Sequence, residues 1–264
     1  MTNLGVVSAR PAALITGASA GIGAEFAARL ASKNYDVVLV ARRRDRLEEI
    51  AANLRAAHGV RAEIVAADLS VAGSVDAIVA EVTRLGVTVD LLVNNAGFGT
   101  HGRFETISPE RERDEVAVNV AALVALTHAY LPGMLQRGRG GVINVASTAS
   151  FQPVPYMAVY GATKAFVRSF SEALHEEVRG RGVRILALCP GPTATEFFDH
   201  GVAAIPGPIR TSRDVVSTAL AAYDADTVTA IDGASNKLVA ALAAPLPRRW
   251  VRRIAARIMF PGKP

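Results

Sequence analysis

Tyr156, Tyr160 and Lys164 stand four residues apart in the stretch YMAVYGATKAF. On a helix, positions i and i+4 share a face, which sets Lys164 beside Tyr160 and Tyr156 one turn earlier. A free phenol has a pKa of about 10, too high for efficient proton exchange at neutral pH. A neighbouring ammonium stabilises the phenolate, so a Tyr–Lys pair can work as a proton donor and acceptor. Only Tyr160 has a lysine four residues on; four beyond Tyr156 is another tyrosine. A second chemical signal is LITGASAGIGAEFAARL, near the start of the chain. Its Gly17, Gly21 and Gly23 permit a tight turn and let backbone approach a pyrophosphate, whose charge a following helix N-terminus attracts.

These groups need a scaffold, and the apolar pattern supplies one. Strand-like runs occupy residues 12–16, 36–41, 61–68, 90–96, 141–147 and 183–190, with a weaker seventh at 227–232. Most are continuously apolar instead of alternating, the pattern of strands buried on both faces. Helical patterns fill the gaps. In ARRRDRLEEIAANLRAAHG, Asp45 and Glu48 have the spacing of a capping box, Leu47, Ile50, Ala51 and Leu54 form one face, and Gly59 ends the run. Ser108 and Pro109 read as the N-cap and first residue of a helix over 107–138, and a third helix is expected from Tyr156 to Gly180. Strand and helix in alternation predict an α/β, doubly wound, mainly parallel seven-stranded sheet with helices on both faces. Its crossovers should be right-handed.

The glycine spacing is TGxxxGIG instead of GxGxxG, and here the chain resembles the short-chain dehydrogenase/reductase family. TGASAGIG (16–23), NNAG (94–97), Asn119, Ser147, YGATK (160–164) and PGPTAT (190–195) occur in the family's order and at its usual intervals. The resemblance implies a Rossmann-like fold, a nicotinamide cofactor and no metal. It implies that the cofactor is held by Gly17, Ser19, Gly21, Ile22, Gly23, Asn95, Ala96 and Gly97, with Asp68 and Leu69 on the adenine. Pro190, Gly191, Thr193 and Thr195 complete that set, and Tyr160 and Lys164 reach the nicotinamide side. It matches YxxxK to Tyr160 and Lys164, Ser147 to the serine that bonds the substrate oxygen, and Asn119 to the residue that positions a water beside the lysine. Thr148 and Ser150 fit the serine's spacing less well. An acid about twenty residues past the glycines would select NAD, whereas arginine accommodates the 2′-phosphate of NADP. Arg42, nineteen beyond Gly23, followed by Arg43 and with no acid beside it, points to NADP(H).

The expected reaction is hydride transfer between nicotinamide and the carbonyl or secondary alcohol of an apolar substrate. Phe98, Phe151, Val154, Tyr156, Phe197 and Phe198, with Val202 and Ile205, suggest an apolar pocket under a lid at 196–212. The alternatives are a lipid or fatty-acyl ketone reductase at a membrane surface and a non-catalytic NADP-binding regulator. The 264 residues divide into a catalytic domain over 1–235 and a basic helical extension over 236–264. The net charge of +5 comes from that extension: Lys237, Arg248, Arg249, Arg252, Arg253, Arg257 and Lys263 have no acid among them, so no nucleic-acid groove is needed. On a helix, Trp250, Val251, Ile254, Ile258 and Met259 gather on one side. Docking on its own domain or a neighbouring subunit is the expected use, with an anionic membrane surface as the other. Family members commonly form dimers or tetramers, so a homodimer or homotetramer is expected.

The single cysteine, Cys189, cannot form an internal disulfide and reads as a buried strand residue. No leader segment and no apolar run of about eighteen residues stands out, so a cytoplasmic location is expected. His58, His101, His128, His175 and His200 lack paired metal-ligand spacing; His101 and His200 read as solvated loop residues.

Overall fold

In the computed structural model, residues 10–197, 209–243 and 246–260 are described. Phe198, His200, Val202 and Ile205 lie outside them. The strands are β1 (Ala12–Thr16), β2 (Asp36–Ala41), β3 (Ala62–Ala66), β4 (Val89–Asn94), β5 (Gly140–Val145), β6 (Val183–Cys189) and β7 (Thr229–Ile231). They form one sheet in the order β3-β2-β1-β4-β5-β6-β7, with every pair parallel. The third and seventh strands are shorter than their apolar runs, although Arg61 O, Ala67 N, Val228 O and Asp232 N still bond the neighbouring strand. The helices are α1 (Gly21–Ser32), α2 (Arg44–His58), α3 (Ser74–Arg84), α4 (Pro109–Val116), α5 (Leu123–Arg137), α6 (Ala158–Val178), α7 (Ser212–Asp224), α8 (Ala234–Ala243) and α9 (Arg248–Ile258).

Two apolar layers explain the continuous strands. One holds Phe26, Leu30, Leu47, Val215 and Val216 from α1, α2 and α7 against Ile15, Val37 and Leu39. The other holds Ile78, Val82, Leu126 and Met134 from α3 and α5 against Leu14, Val38 and Val40. Neighbouring residues of one strand thus feed opposite layers, each fully buried side chain stabilising by roughly 1.5–3 kcal/mol. Apolar faces on both sides cannot fix strand register, since a slip exchanges one greasy face for another. Polar groups do that work. Asn94 and Asn144 are register partners on β4 and β5, and Asn94 Nδ2 donates to Asn144 Oδ1 at 2.9 Å. Asn94 also donates to Thr127 of α5 (3.1 Å), and Asn144 to Ser171 of α6 (2.9 Å).

Several local expectations change. Arg43, not Asp45, is the N-cap of α2, and its side chain bonds no N–H of that helix; Asp45 sits in the first turn, where its charge still favours the helix dipole. Ser108 does cap α4, accepting from Arg111 N, with Pro109 next. The long helix over 109–137 is interrupted by a π-helical turn at Ala117–Ala122, which carries Asn119. That helix is long and apolar enough to cross a bilayer by composition, but Leu123, Leu126 and Met134 are buried and α5 packs on β4 and β5. Tyr156 lies ahead of α6 instead of on it. Its φ is +66°, and Met157 N bonds Val154 O across Pro155–Tyr156. Proline followed by a positive φ is a type II turn, which starts the helix two residues late.

The Asn94–Asn144 pair yields a stability prediction. Asn144→Ala removes the acceptor of one Asn94 amide N–H, whose other N–H keeps Thr127, and the donor to the Ser171 hydroxyl, which still bonds Val167 O; each partner lost in the core costs about 1–3 kcal/mol. Denaturant unfolding should show a loss of roughly 2–4 kcal/mol. A loss of under half a kcal/mol would mean the pair does not hold the sheet to α5 and α6.

Candidate active site

Strand order reverses between β1 and β4, and in such sheets the crevice lies beyond the strands' carboxyl ends at that switch point. Here it is stitched by one hydroxyl. Thr16 Oγ1 donates to Val93 O (3.3 Å) and accepts from Asn95 N and Ala96 N (3.0 Å each), while Asn95 Nδ2 donates to Thr16 O at 2.9 Å. The glycines fit around this knot. Gly17 has φ +66°, and a Cβ there would lie 2.7 Å from Asn95 Nδ2 and 2.9 Å from Ala96 Cα. A Cβ on Gly23 would strike the Gly17 carbonyl, so Gly23 packs the turn and does not line the crevice. The first turn of α1 has no side-chain cap and no acid, which leaves its N–H groups open to an anion.

A cleft of about 990 Å³ runs from this turn across the sheet edge. Gly17, Ser19, Gly21, Ile22, Arg42, Arg43, Asp68, Leu69, Asn95, Ala96, Gly97, Pro190, Gly191, Thr193 and Thr195 all line it. Burial raises the Asp68 carboxyl, but bonds from Ser70 N and Oγ, together with the Arg42 charge, outweigh it and hold the group low. Arg43 bonds Ser19 (3.0 Å) and pairs with Glu196 (2.8 Å), joining the α1 turn to the segment after β6. Arg42 makes no hydrogen bond or ion pair among the described residues.

Ser147, Tyr160 and Lys164 also line the cleft, and Asn119 lies just behind it. Ser147 leaves β5 in extended conformation, its Oγ accepting from Ala149 N at 3.1 Å. Ser150 turns inward, donating to Ser147 O and lying 3.8 Å from Cys189 Sγ. On α6, Lys164 Nζ sits 5.8 Å from the Tyr160 ring centre and donates to Val145 O at 2.8 Å. Burial pushes the Tyr160 phenol up to about 12, against the pull of a bond to Ser147. Burial likewise pushes Lys164 down to about 8. Desolvation is the largest cause of both shifts, and the ammonium faces the Val145 carbonyl. Asn119 Oδ1 accepts from Phe98 N (3.1 Å), and its Nδ2 donates to Phe98 O (2.9 Å) and Thr163 Oγ1 (3.1 Å). With its amide saturated by protein, it clamps the Gly97–Phe98 turn to α6.

Of the expected pocket residues, Phe98, Val154 and Phe197 line the cleft, with the Phe197 ring 5.4 Å from that of Tyr160. Phe151 and Tyr156 do not. Phe151 lies under the Arg168 guanidinium at 4.3 Å, and Tyr156 packs edge-on against Phe260 at 5.5 Å. The sequence assigned none of the remaining wall to the pocket: Val239 and Ala240 of α8 with Ala255, Ile258 and Met259 from the extension expected to dock on its own domain. Met259 is buried with Met157 and Tyr160, and its carbonyl meets His101 Nε2 at 3.0 Å. His101 is thus a tie between loop and tail, not a solvated residue.

Comparison with known proteins agrees with this architecture. The short chain dehydrogenase family profile matches residues 11–204. The rat very-long-chain 3-oxoacyl-CoA reductase is 32% identical over 189 residues, 70% of this chain but only 60% of the rat protein. A short-chain dehydrogenase from Sphingobium yanoikuyae, solved with NADPH, superposes with a TM-score of 0.79 at 33% identity, covering 94% of this chain and 93% of that one. The 3-ketoacyl-(acyl-carrier-protein) reductase of Brucella melitensis, solved with NADH, gives 0.73 at 34% identity over 84% and 96% of the two chains.

One buried group went unnoticed in the sequence. Glu115 of α4 has no exposed surface; its Oε2 accepts from Thr100 N (3.0 Å) and Oγ1 (2.8 Å). Burial raises its pKa to about 7; the Thr100 bonds and Lys164 oppose the rise, and Glu112 adds to it. An acid whose folded pKa exceeds its ordinary 4.5 stabilises most below that value and loses the benefit as pH climbs to about 7. Thermal melts should therefore show the wild type losing stability over that window relative to Glu115→Gln. Parallel pH profiles for the two proteins would remove Glu115 as a titrating core group.

Proposed function

The chain belongs to the short-chain dehydrogenase family, and from that premise we propose an NADP(H)-dependent oxidoreductase acting on the carbonyl or secondary alcohol of an apolar substrate. The observation that carries this is the set of Ser147, Tyr160 and Lys164 along one cleft wall, with the Lys164 side chain buried. A bound nicotinamide supplies or accepts the hydride, and its oxidised ring brings a positive charge that favours phenolate. The fit of such a dinucleotide is supported by the open α1 turn and by the side-chain-free surface at Gly17. Ser147 Oγ then holds the substrate oxygen, and Tyr160 Oη gives or takes its proton. Lys164 is the buried cation that favours the phenolate, and Asn119 fixes the turn facing it. The complete set argues against a regulator that kept only the fold.

Arg42 supports NADP(H) over NAD(H): it is a guanidinium just past β2, lining the cleft, with no hydrogen bond or ion pair among the described residues. The wall from Phe98, Phe197, Ile258 and Met259 supports an apolar substrate body, fatty-acyl ketones included. Phe166, stacked on Phe170 along the exposed side of α6, supports pairing of two subunits there, and the lone buried thiol of Cys189 is compatible with a reducing cytoplasm.

Tyr160→Phe should bind NADPH normally and lose kcat by about 10²–10⁴ in a ketone-panel assay, the usual worth of a general acid. Near-normal turnover would move the proton to another group. Arg42→Asp tests cofactor choice separately. Hydrogen bonds to charged groups contribute about 1.5–3 kcal/mol, so the wild type should prefer NADPH by at least about tenfold in kcat/KM. The aspartate should reverse the order, mainly through the KM for NADPH, because the phosphate lies far from the reacting atoms. A wild type that uses both cofactors equally would return Arg42 to surface charge.

A further inference from the structure

The apolar surface of this protein is unevenly placed. Of the thirteen exposed large apolar side chains among the described residues, eight fall between positions 238 and 260. Leu238 and Leu242 on α8, Trp250, Ile254 and Ile258 on α9, and Phe260 beyond it are each between 42% and 59% exposed. Contiguous exposure on this scale marks an interaction surface. On α9 the order is clear: Arg249, Arg253 and Arg257 form a strip beside Trp250, Ile254 and Ile258, and both strips face solvent. Met259, with Val251 and Ala255, turns toward the protein. None of the five α9 arginines makes an ion pair among the described residues, and the sequence has no Asp or Glu from Gly233 to its end.

We propose that α8 and α9 dock on an anionic lipid bilayer, with the apolar strip in the acyl boundary and the arginines among the headgroups. Charge selects this occupant. A second copy meeting strip to strip would bring two arginine rows together with no acid in either segment to neutralise them. An anionic surface neutralises them, and apolar burial with basic flanks is how interfacial helices bind. The position adds a consequence. Val239 and Ile258 are exposed on this surface and also line the cleft. The docking face therefore continues into the cavity beside Tyr160, and an apolar carbonyl compound can pass from lipid to cleft without crossing water. This delivery step rests on the carbonyl reading above; the docking does not.

Trp250 is the only tryptophan in the chain and reports the contact directly. Vesicles of phosphatidylcholine with phosphatidylglycerol should shift its emission to the blue and allow quenching by brominated acyl chains. Co-sedimentation on these vesicles should be at least about tenfold tighter than on phosphatidylcholine alone and should weaken with salt. The double variant Leu242→Glu/Ile254→Glu, at two exposed positions outside the cleft wall, should lose at least about tenfold in vesicle binding. It should still turn over a water-soluble ketone like the wild type, which also shows that it folds. Because the tryptophan signal needs no turnover, docking is decided even if no ketone is reduced. An unshifted Trp250 on anionic vesicles would overturn the proposal, as would equal binding to neutral ones or an unimpaired double variant. So would emission already blue without lipid and dependent on protein concentration, which would give the face to a second copy.

Discussion

Every strand points the same way, and that single constraint decides where chemistry can sit. The carboxyl ends of all seven strands emerge along one edge, and the reversal between β1 and β4 opens a gap there that no crossover covers. Strand ends at such a gap expose backbone amides that must find partners. Thr16 supplies them with one side chain, receiving two amides of the β4 turn while donating to β4 itself. The turn at Gly17 is close because it must pack against that knot, and the cleft is open because the knot closes the sheet without filling the space above.

The second organising feature is electrostatic. Lys164 and Glu115 are a buried base and a buried acid on different helices, and Tyr160 is a buried phenol on the cleft wall. Burial works against all three ionised forms, raising the acids and lowering the base. A core of this kind is poised: a modest positive charge entering the cleft changes the balance more than it would on a wet surface, because little water screens it. The saturated amide of Asn119 and the carbonyl of Val145 keep the groups in place while their charges vary.

What the sequence reveals and what it hides divide along the range of the interaction. The Tyr160–Lys164 pair and the glycine turn are set within a few residues, so spacing alone exposes them. The doubly buried strands are equally plain, since continuous apolar runs have few other uses. Phe151 and Tyr156 misled because aromatic type says nothing of direction; a guanidinium claims one ring and the tail claims the other. The turn at Val154–Met157 was written in its proline but looked like the start of a helix. The wall contributed by α8 and α9 depends on contacts across more than a hundred residues, such as His101 with Met259, and no local pattern encodes such a fold-back. Glu115 looked like one more acid on a charged helix, and only its docking against Thr100 sets it apart.

The π turn at Ala117–Ala122 has an angular consequence. In a regular helix, residues four apart drift by about 40° per step, so a line of such residues would wander from a buried face to solvent within three steps. Glu115, Asn119, Leu123 and Thr127 are spaced in this way, and all four are buried. The wider π turn takes back part of that rotation. It keeps in phase two halves with separate duties, one facing the cleft and the other the sheet. The extra residue works as a gear tooth: its removal would leave the composition of the helix almost untouched and turn one of its two working faces away from its partner.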